Sequence, residues 1–266
     1  MGNIIKMDFY RMFRAKSFII SNIILFFIAL SNRPIQLGFD ALAANLSATA
    51  EEPYVSMAET IKRANFAELL SDPFVFSLSI ILVLIPAVVF SYADLANGFI
   101  KNIAGQVSNK GYTVVSKFVV LCVHNLIFMF VGVLGNIFSV LIVSSFSGIK
   151  EVGNIGTALA TFAIKWLLLM ALTAILLFFT TGLKNKTLAS VIGVIFGSGA
   201  LSILHLMIDD IAQRALKFNP SDYDPTVLMG SASANVLVVN AIVVSLVVIA
   251  IFIPLTVKVF NKTDVK

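Results

Sequence analysis

Long uncharged apolar runs recur along this sequence, and they decide what the chain can become. Residues 73–92 hold no charged side chain at all. A helix needs about 20 apolar residues to cross a hydrocarbon layer of about 30 Å, where only helices and closed barrels satisfy every backbone hydrogen bond. Six runs meet or approach that length: 17–30, 73–92, 118–146, 162–181, 188–208 and 235–257. Hydrophobic residues make up 59% of the chain, charged ones 12%, and the mean hydropathy is +0.98, far from the balance of a soluble domain. The expected fold class is therefore all-α: a polytopic membrane helix bundle of six transmembrane helices, with residues 1–266 as one membrane domain.

Six crossings place both termini on one side. That side collects Lys6, Arg11, Arg14, Lys16, Lys101, Lys110, Lys117, Lys184, Lys186, Lys258, Lys262 and Lys266, opposed only by Asp8, Asp94 and Asp264. The positive-inside bias then makes both termini cytoplasmic, and the basic side chains meet anionic lipid headgroups. The net charge of +5 thus points to membrane lipids and not to nucleic acid. The run 17–30 and Ala41-Leu42-Ala43 superficially resemble a leader and its cleavage site, but Arg33, Pro34, Gln36 and Asp40 stand between them. A retained first span is expected.

Residues 1–16 read as an amphipathic interfacial helix that leads into the first span without a strong break. Ile5, Phe9, Met12 and Phe13 fall on one arc, and Lys6, Asp8, Arg11 and Arg14 on the other, headgroup-facing one. Segment 32–72 is an acidic outer loop, too short to bury a core of its own. Segment 209–234, with Pro220, Pro225 and four aspartates, is a second outer loop expected to be solvated, since its acids lack the alternation and glycine of a calcium loop.

Catalytic and metal chemistry find little support. No phosphate-binding GxxxxGK[ST] stretch occurs, so the chain is not expected to hydrolyse ATP, and it is read as no enzyme, with no metal or cofactor of its own. A single cysteine, Cys122, excludes a thiolate cluster. Gly197-Ser198-Gly199 followed by His205 invites comparison with an intramembrane serine protease, but seven residues of helix separate nucleophile from base by about 10 Å. Gly193, Gly197 and Gly199 instead read as a small-residue face for helix packing or a dimer contact, and Gly132 and Gly135 as a weaker one. His124 and Asn125 are expected to hydrogen-bond between helices. Lys165, beside Trp166, is expected to anchor at the membrane surface by snorkelling. Pro86 and Pro254 lie inside apolar runs and predict kinks.

The polar stretch 93–117, between the second and third runs, carries Asp94, Gly98 and Lys101 in an acid-xxx-Gly-xx-Lys pattern and ends on Ser116-Lys117. With the basic entry helix and six spans, it resembles the permease subunits of ABC exporters of the second (ABC-2) type, over nearly the whole chain. The resemblance implies a cytoplasmic coupling helix in 93–117 that seats in an ATPase subunit, with Ile100, Ile103 and Val107 as apolar contacts beside Asp94, Gly98 and Lys101. It implies an ABC ATP-binding protein as partner, holding ATP and magnesium, and a second permease copy, identical or not. The second and fifth spans would line the path, which makes Phe76, Leu84, Phe90, Phe196 and Leu204 lining candidates. The implied function is export of a bacteriocin-like peptide or an amphipathic drug or antibiotic across a bacterial cell membrane, or immunity to it. The alternative from the residues is a membrane scaffold or sensor that recruits a cytosolic partner through the same loop.

Overall fold

A computed structural model describes residues 1–47, 64–74, 78–96, 111–143, 149–231 and 238–262. The described chain is helical apart from one short ribbon. Helix α1 (Gly2–Arg14) is followed after a single extended residue, Ala15, by α2 (Lys16–Ser47). Strand β1 (Ala64–Asn65) and α3 (Phe66–Ser71) come next, then α4 (Leu78–Ala96) and α5 (Gly111–Val143). Strand β2 (Ile149–Glu151) pairs parallel with β1 and precedes α6 (Ile155–Leu183). Helices α7 (Lys186–Gly197) and α8 (Ala200–Leu216), a 3-10 turn (Pro220–Tyr223), α9 (Pro225–Ser231) and α10 (Val238–Lys262) complete the order.

Four of these helices are long and apolar enough to cross a membrane: Lys16–Phe39, Gly111–Val143, Ile155–Leu183 and Val238–Lys262. Two shorter apolar helices, Ser79–Asp94 and Lys186–Gly197, lie in the second and fifth runs. The fifth run is not one helix. Its expected continuity from Leu188 to Ile208 is broken after Gly197, where Gly199 takes φ +74° and caps α8, a left-handed backbone that glycine adopts without a Cβ penalty. The first run extends well past its expected end, since α2 stays helical through Pro34 into the stretch read as a loop. Pro86 and Pro254 also lie within helices.

Contacts divide the chain into two compact units. The first comprises Met1–Asn22, Phe76–Ile127 and Ala163–Lys266, and the second Ile23–Val75 and Phe128–Phe162. In the first unit α4 packs most extensively on α7. Gly197 makes this possible: a Cβ there would lie 2.6 Å from Ile81 Cγ1 and 2.8 Å from its backbone nitrogen. Gly193 sits less tightly, 3.5 Å from Leu176. Met12, Phe18, Ala87, Phe90, Val120 and Leu121 form a buried cluster where α1, α2, α4 and α5 meet.

In the second unit α5 lies against α2. A Cβ on Gly135 would fall 2.5 Å from Ala29 Cβ, and one on Gly132 would fall 2.2 Å from the Pro73 carbonyl oxygen. Asn136 donates to the Asp72 carbonyl at 3.1 Å, and Asn65 accepts from Ala67 N–H at 2.9 Å, so it caps α3. Segment 32–72, expected as a loop, is therefore largely helical where it is described, with Leu69 and Leu70 buried.

The segment 209–234 differs from its expectation as well. Its described part, 209–231, folds into the end of α8, the 3-10 turn and α9, and buries Leu228 and Met229. Lys165 is a further correction. It is 3% exposed, because α6 begins at Ile155 and carries it ten residues into the helix, on the same stripe as the buried Phe162, Leu169 and Leu172. Trp166 is half-buried, and its indole N–H donates to the Cys122 carbonyl at 3.0 Å.

Candidate functional site

Four charged side chains and two serines converge in the first unit. Asp94 lies in the last turn of α4, where the helix dipole disfavours an acid, so its charge needs a partner. It has two. Lys117, early in α5, places its ammonium 2.9 Å from one Asp94 oxygen, and the Arg11 guanidinium of α1 binds the other. The same ammonium donates to the Ser91 carbonyl at 2.9 Å, which ties α5 to the α4 backbone as well. On α1, one turn before Arg11, Asp8 accepts from the Ser116 hydroxyl at 2.6 Å and lies 3.4 Å from Arg11. Arg11 also lies over the Phe90 ring, 5.8 Å from its centroid.

These charges are taken out of water. Asp8 is fully buried, and the side chains of Asp94 and Lys117 are 1% and 5% exposed; that of Arg11 is 27% exposed. Two acids face two bases, so the cluster is neutral. Burial pushes the Asp8 carboxyl above the usual aspartate range and Asp94 adds repulsion, while the Ser116 hydrogen bond, Lys117 and Arg11 oppose the rise. Burial disfavours the Arg11 cation, but the bond to Asp94 and the pull of both acids outweigh it and hold Arg11 still more firmly charged.

The inward turn of α1 corrects the expected partition of its faces. Asp8 and Arg11 face the bundle with Met12, and Phe13 is 60% exposed beside the exposed Lys6, Tyr10 and Arg14. Asp8 was thus a site residue that periodicity alone assigns to the wrong face. The available signal is its isolation: a lone acid in a basic helix, three residues before Arg11.

Of the expected coupling residues, Asp94 is enclosed at the root of the loop and presents no carboxylate to an outside surface. Gly98, Ile100, Lys101, Ile103 and Val107 lie outside the described residues. The lining candidates differ in exposure. Leu84 is fully buried and Phe90 is 5% exposed, with its ring packed edge-on to Phe18 at 5.4 Å between centroids. Phe196 is half-buried, Leu204 is 53% exposed, and Phe76 lies outside the described residues. Gly193 and Gly197 face α4 and α6 of the same chain, and Gly199 stands at the break between α7 and α8.

A second polar layer lies deeper in the same unit. Asn22 approaches His124 Nε2 at 3.3 Å, the His124 ring meets that of Phe18 at 4.1 Å, and Asn125 donates to Thr173 Oγ1 at 2.9 Å. Helices α2, α5 and α6 are thereby cross-linked by hydrogen bonds between polar side chains in an apolar setting. Ser198 is bound to the Ile195 carbonyl of its own helix and His205 to Asp224, so the two form no nucleophile–base pair. Among the described residues no group of three His, Cys, Asp or Glu could hold a metal ion. What the ion-pair cluster can do is hold three helices in fixed register. No protein-family model, curated protein or solved structure matches the chain.

Proposed function

We propose that the chain is the membrane-spanning permease subunit of an ATP-driven exporter of the ABC-2 type, with ATP hydrolysed on a separate subunit. In this reading α4 and the α7–α8 pair complete six passes, both termini are cytoplasmic, and α1 lies at the inner surface of a bacterial cell membrane. The cargo is a peptide or an amphipathic drug or antibiotic, and a second permease copy completes the pathway.

The observation that carries the proposal is the enclosure of Asp94 between Arg11 and Lys117. Residues 97–110 emerge from α4 and return into α5, and the ion pair joins those two helices within one turn or two of where the segment leaves and re-enters. A docking segment rooted in this way delivers a push from a soluble engine to three helices at once, where a slack connector would absorb it. Asp94 then serves the coupling loop as its anchor, and Gly98, Lys101 and the apolar Ile100, Ile103 and Val107 are left to meet the ATPase.

The test is purification of the chain from its native membrane under conditions that preserve complexes, with ATPase activity measured with and without Gly98→Pro. Co-purification of a nucleotide-binding protein that Gly98→Pro releases or uncouples is the expected result. Recovery of a partner without nucleotide-binding character, or of none, overturns the exporter assignment and favours a scaffold that recruits through the same loop.

A further inference from the structure

His205 and Asp224 carry a proton-dependent contact that the export reading does not use. His205 Nδ1 lies 2.8 Å from the Leu201 carbonyl one turn back on α8. A carbonyl only accepts, so Nδ1 bears a hydrogen. In a neutral imidazole the other nitrogen then has a lone pair and no proton. That nitrogen, Nε2, faces Asp224 Oδ2 at 3.4 Å. A lone pair against a carboxylate repels; an imidazolium N–H against it attracts. The arrangement therefore suits the doubly protonated ring.

Asp224 has a second task. Its other oxygen accepts from the Thr226 N–H at 2.6 Å and from the Thr226 hydroxyl at 2.5 Å, which caps the start of α9. Helix α9 buries Leu228 and Met229 and packs on the 3-10 turn, α8 and α10. One carboxylate thus joins the cap of α9 to a titratable ring on α8. The two side chains are 16% and 18% exposed, so bulk protons reach them.

The surrounding elements carry further charged and titratable groups. Asp209 lies one turn further along α8 and accepts from the Ser221 N–H at 3.1 Å. Asp222 and Tyr223 belong to the 3-10 turn, and α9 carries no charged residue. Arg214 is paired with Asp210 at 2.9 Å, and Lys217 closes α8. On the other neighbours, Lys186 opens α7, and Lys258 and Lys262 lie in the far turns of α10.

We infer that His205 and Asp224 form a proton-operated clasp that fastens the 217–231 segment to α8 when the ring is charged and loosens it when the ring is neutral. The contact itself does not depend on the export reading; only the assignment of the sensed compartment as the outside rests on it.

Hydrogen–deuterium exchange of the purified full chain in lipid nanodiscs tests the clasp without any ATPase. After correction for intrinsic rates, amides of the 225–231 segment should be about five- to tenfold better protected near pH 5.5 than near pH 8, the span expected of a part-buried ion pair. His205→Gln should abolish the difference. Asp224→Asn, whose amide can donate to a neutral Nε2, should protect the segment near pH 8. Equal wild-type protection at both pH values overturns the proposal, as does a pH difference that survives His205→Gln. Because the wild-type comparison decides alone, misfolding of a variant leaves the test intact, and loss of the exporter assignment leaves it untouched.

Discussion

Lys117 and Asp94 sit 23 positions apart in sequence, yet the ammonium of one lies 2.9 Å from a carboxylate oxygen of the other, with both side chains almost wholly out of water. Removing one member of a buried pair strands the other. Asp94→Asn leaves Arg11 and Lys117 without their shared counter-ion and should destabilise the fold by about 3–5 kcal/mol. Asp94→Leu combined with Lys117→Met removes both charges and should recover at least half of that loss, a non-additivity expected of contacting residues. Thermal melting of the purified chain in detergent reads both.

Asp8 should behave in the opposite way. Its carboxyl is raised above the ordinary 3.8 by burial, so the fold favours the protonated acid. The stability this adds is full below the ordinary value and is lost as pH rises through the raised folded value. Asp8→Asn is permanently neutral and keeps an oxygen for the Ser116 hydroxyl. It should melt at or above the wild-type temperature near pH 7, with the gap closing as the pH is lowered toward about 4. A melting curve of each protein across that range checks the sign.

Two glycines on one helix face should respond differently to a methyl group. At Gly197 the added Cβ meets the Ile81 backbone nitrogen at 2.8 Å, which cannot retreat without moving α4, so Gly197→Ala should cost about 1–3 kcal/mol. At Gly193 the nearest atoms are side-chain carbons of Leu176 at 3.5 and 3.8 Å, in ordinary contact. Gly193→Ala should be neutral or stabilise by up to about 1 kcal/mol through helix propensity. Paired melting measurements separate the two.

The enclosure of Lys165 predicts its chemical silence. In the detergent-solubilised chain a small amine-reactive reagent should modify the exposed Lys6, Lys16 and Lys186 and spare Lys165, which is 3% exposed. Peptide mass spectrometry reads the pattern. Modification of Lys165 at the rate of the exposed lysines would contradict its burial.

Much of the helical frame was legible because uncharged runs in a chain this apolar have one use. Helices α5, α6 and α10 lie where hydropathy places them. What escaped were features set by partners far off in sequence. Asp8 turns inward because Ser116, 108 residues on, offers it a hydroxyl, and no local period encodes that. Counting α6 from Phe162 put Lys165 at a membrane edge, whereas Ile155 and the residues after it begin the helix earlier and carry the lysine inside. The break after Gly197 was hidden because Gly199 looks the same in a sequence whether it admits a neighbouring helix or turns the backbone left-handed. Asp94 stood out by its position in the sequence, but its enclosure depends on Arg11 and Lys117 reaching it from two other helices.

The neutrality of the Asp8, Arg11, Asp94 and Lys117 cluster also has an electrical meaning. Carrying one elementary charge through 100 mV of membrane potential takes about 2.3 kcal/mol, enough to bias any joint built on unbalanced charge. Two acids moving with two bases do no such net work. Whatever displaces Asp8, Arg11, Asp94 and Lys117 together therefore meets no net electrical bias.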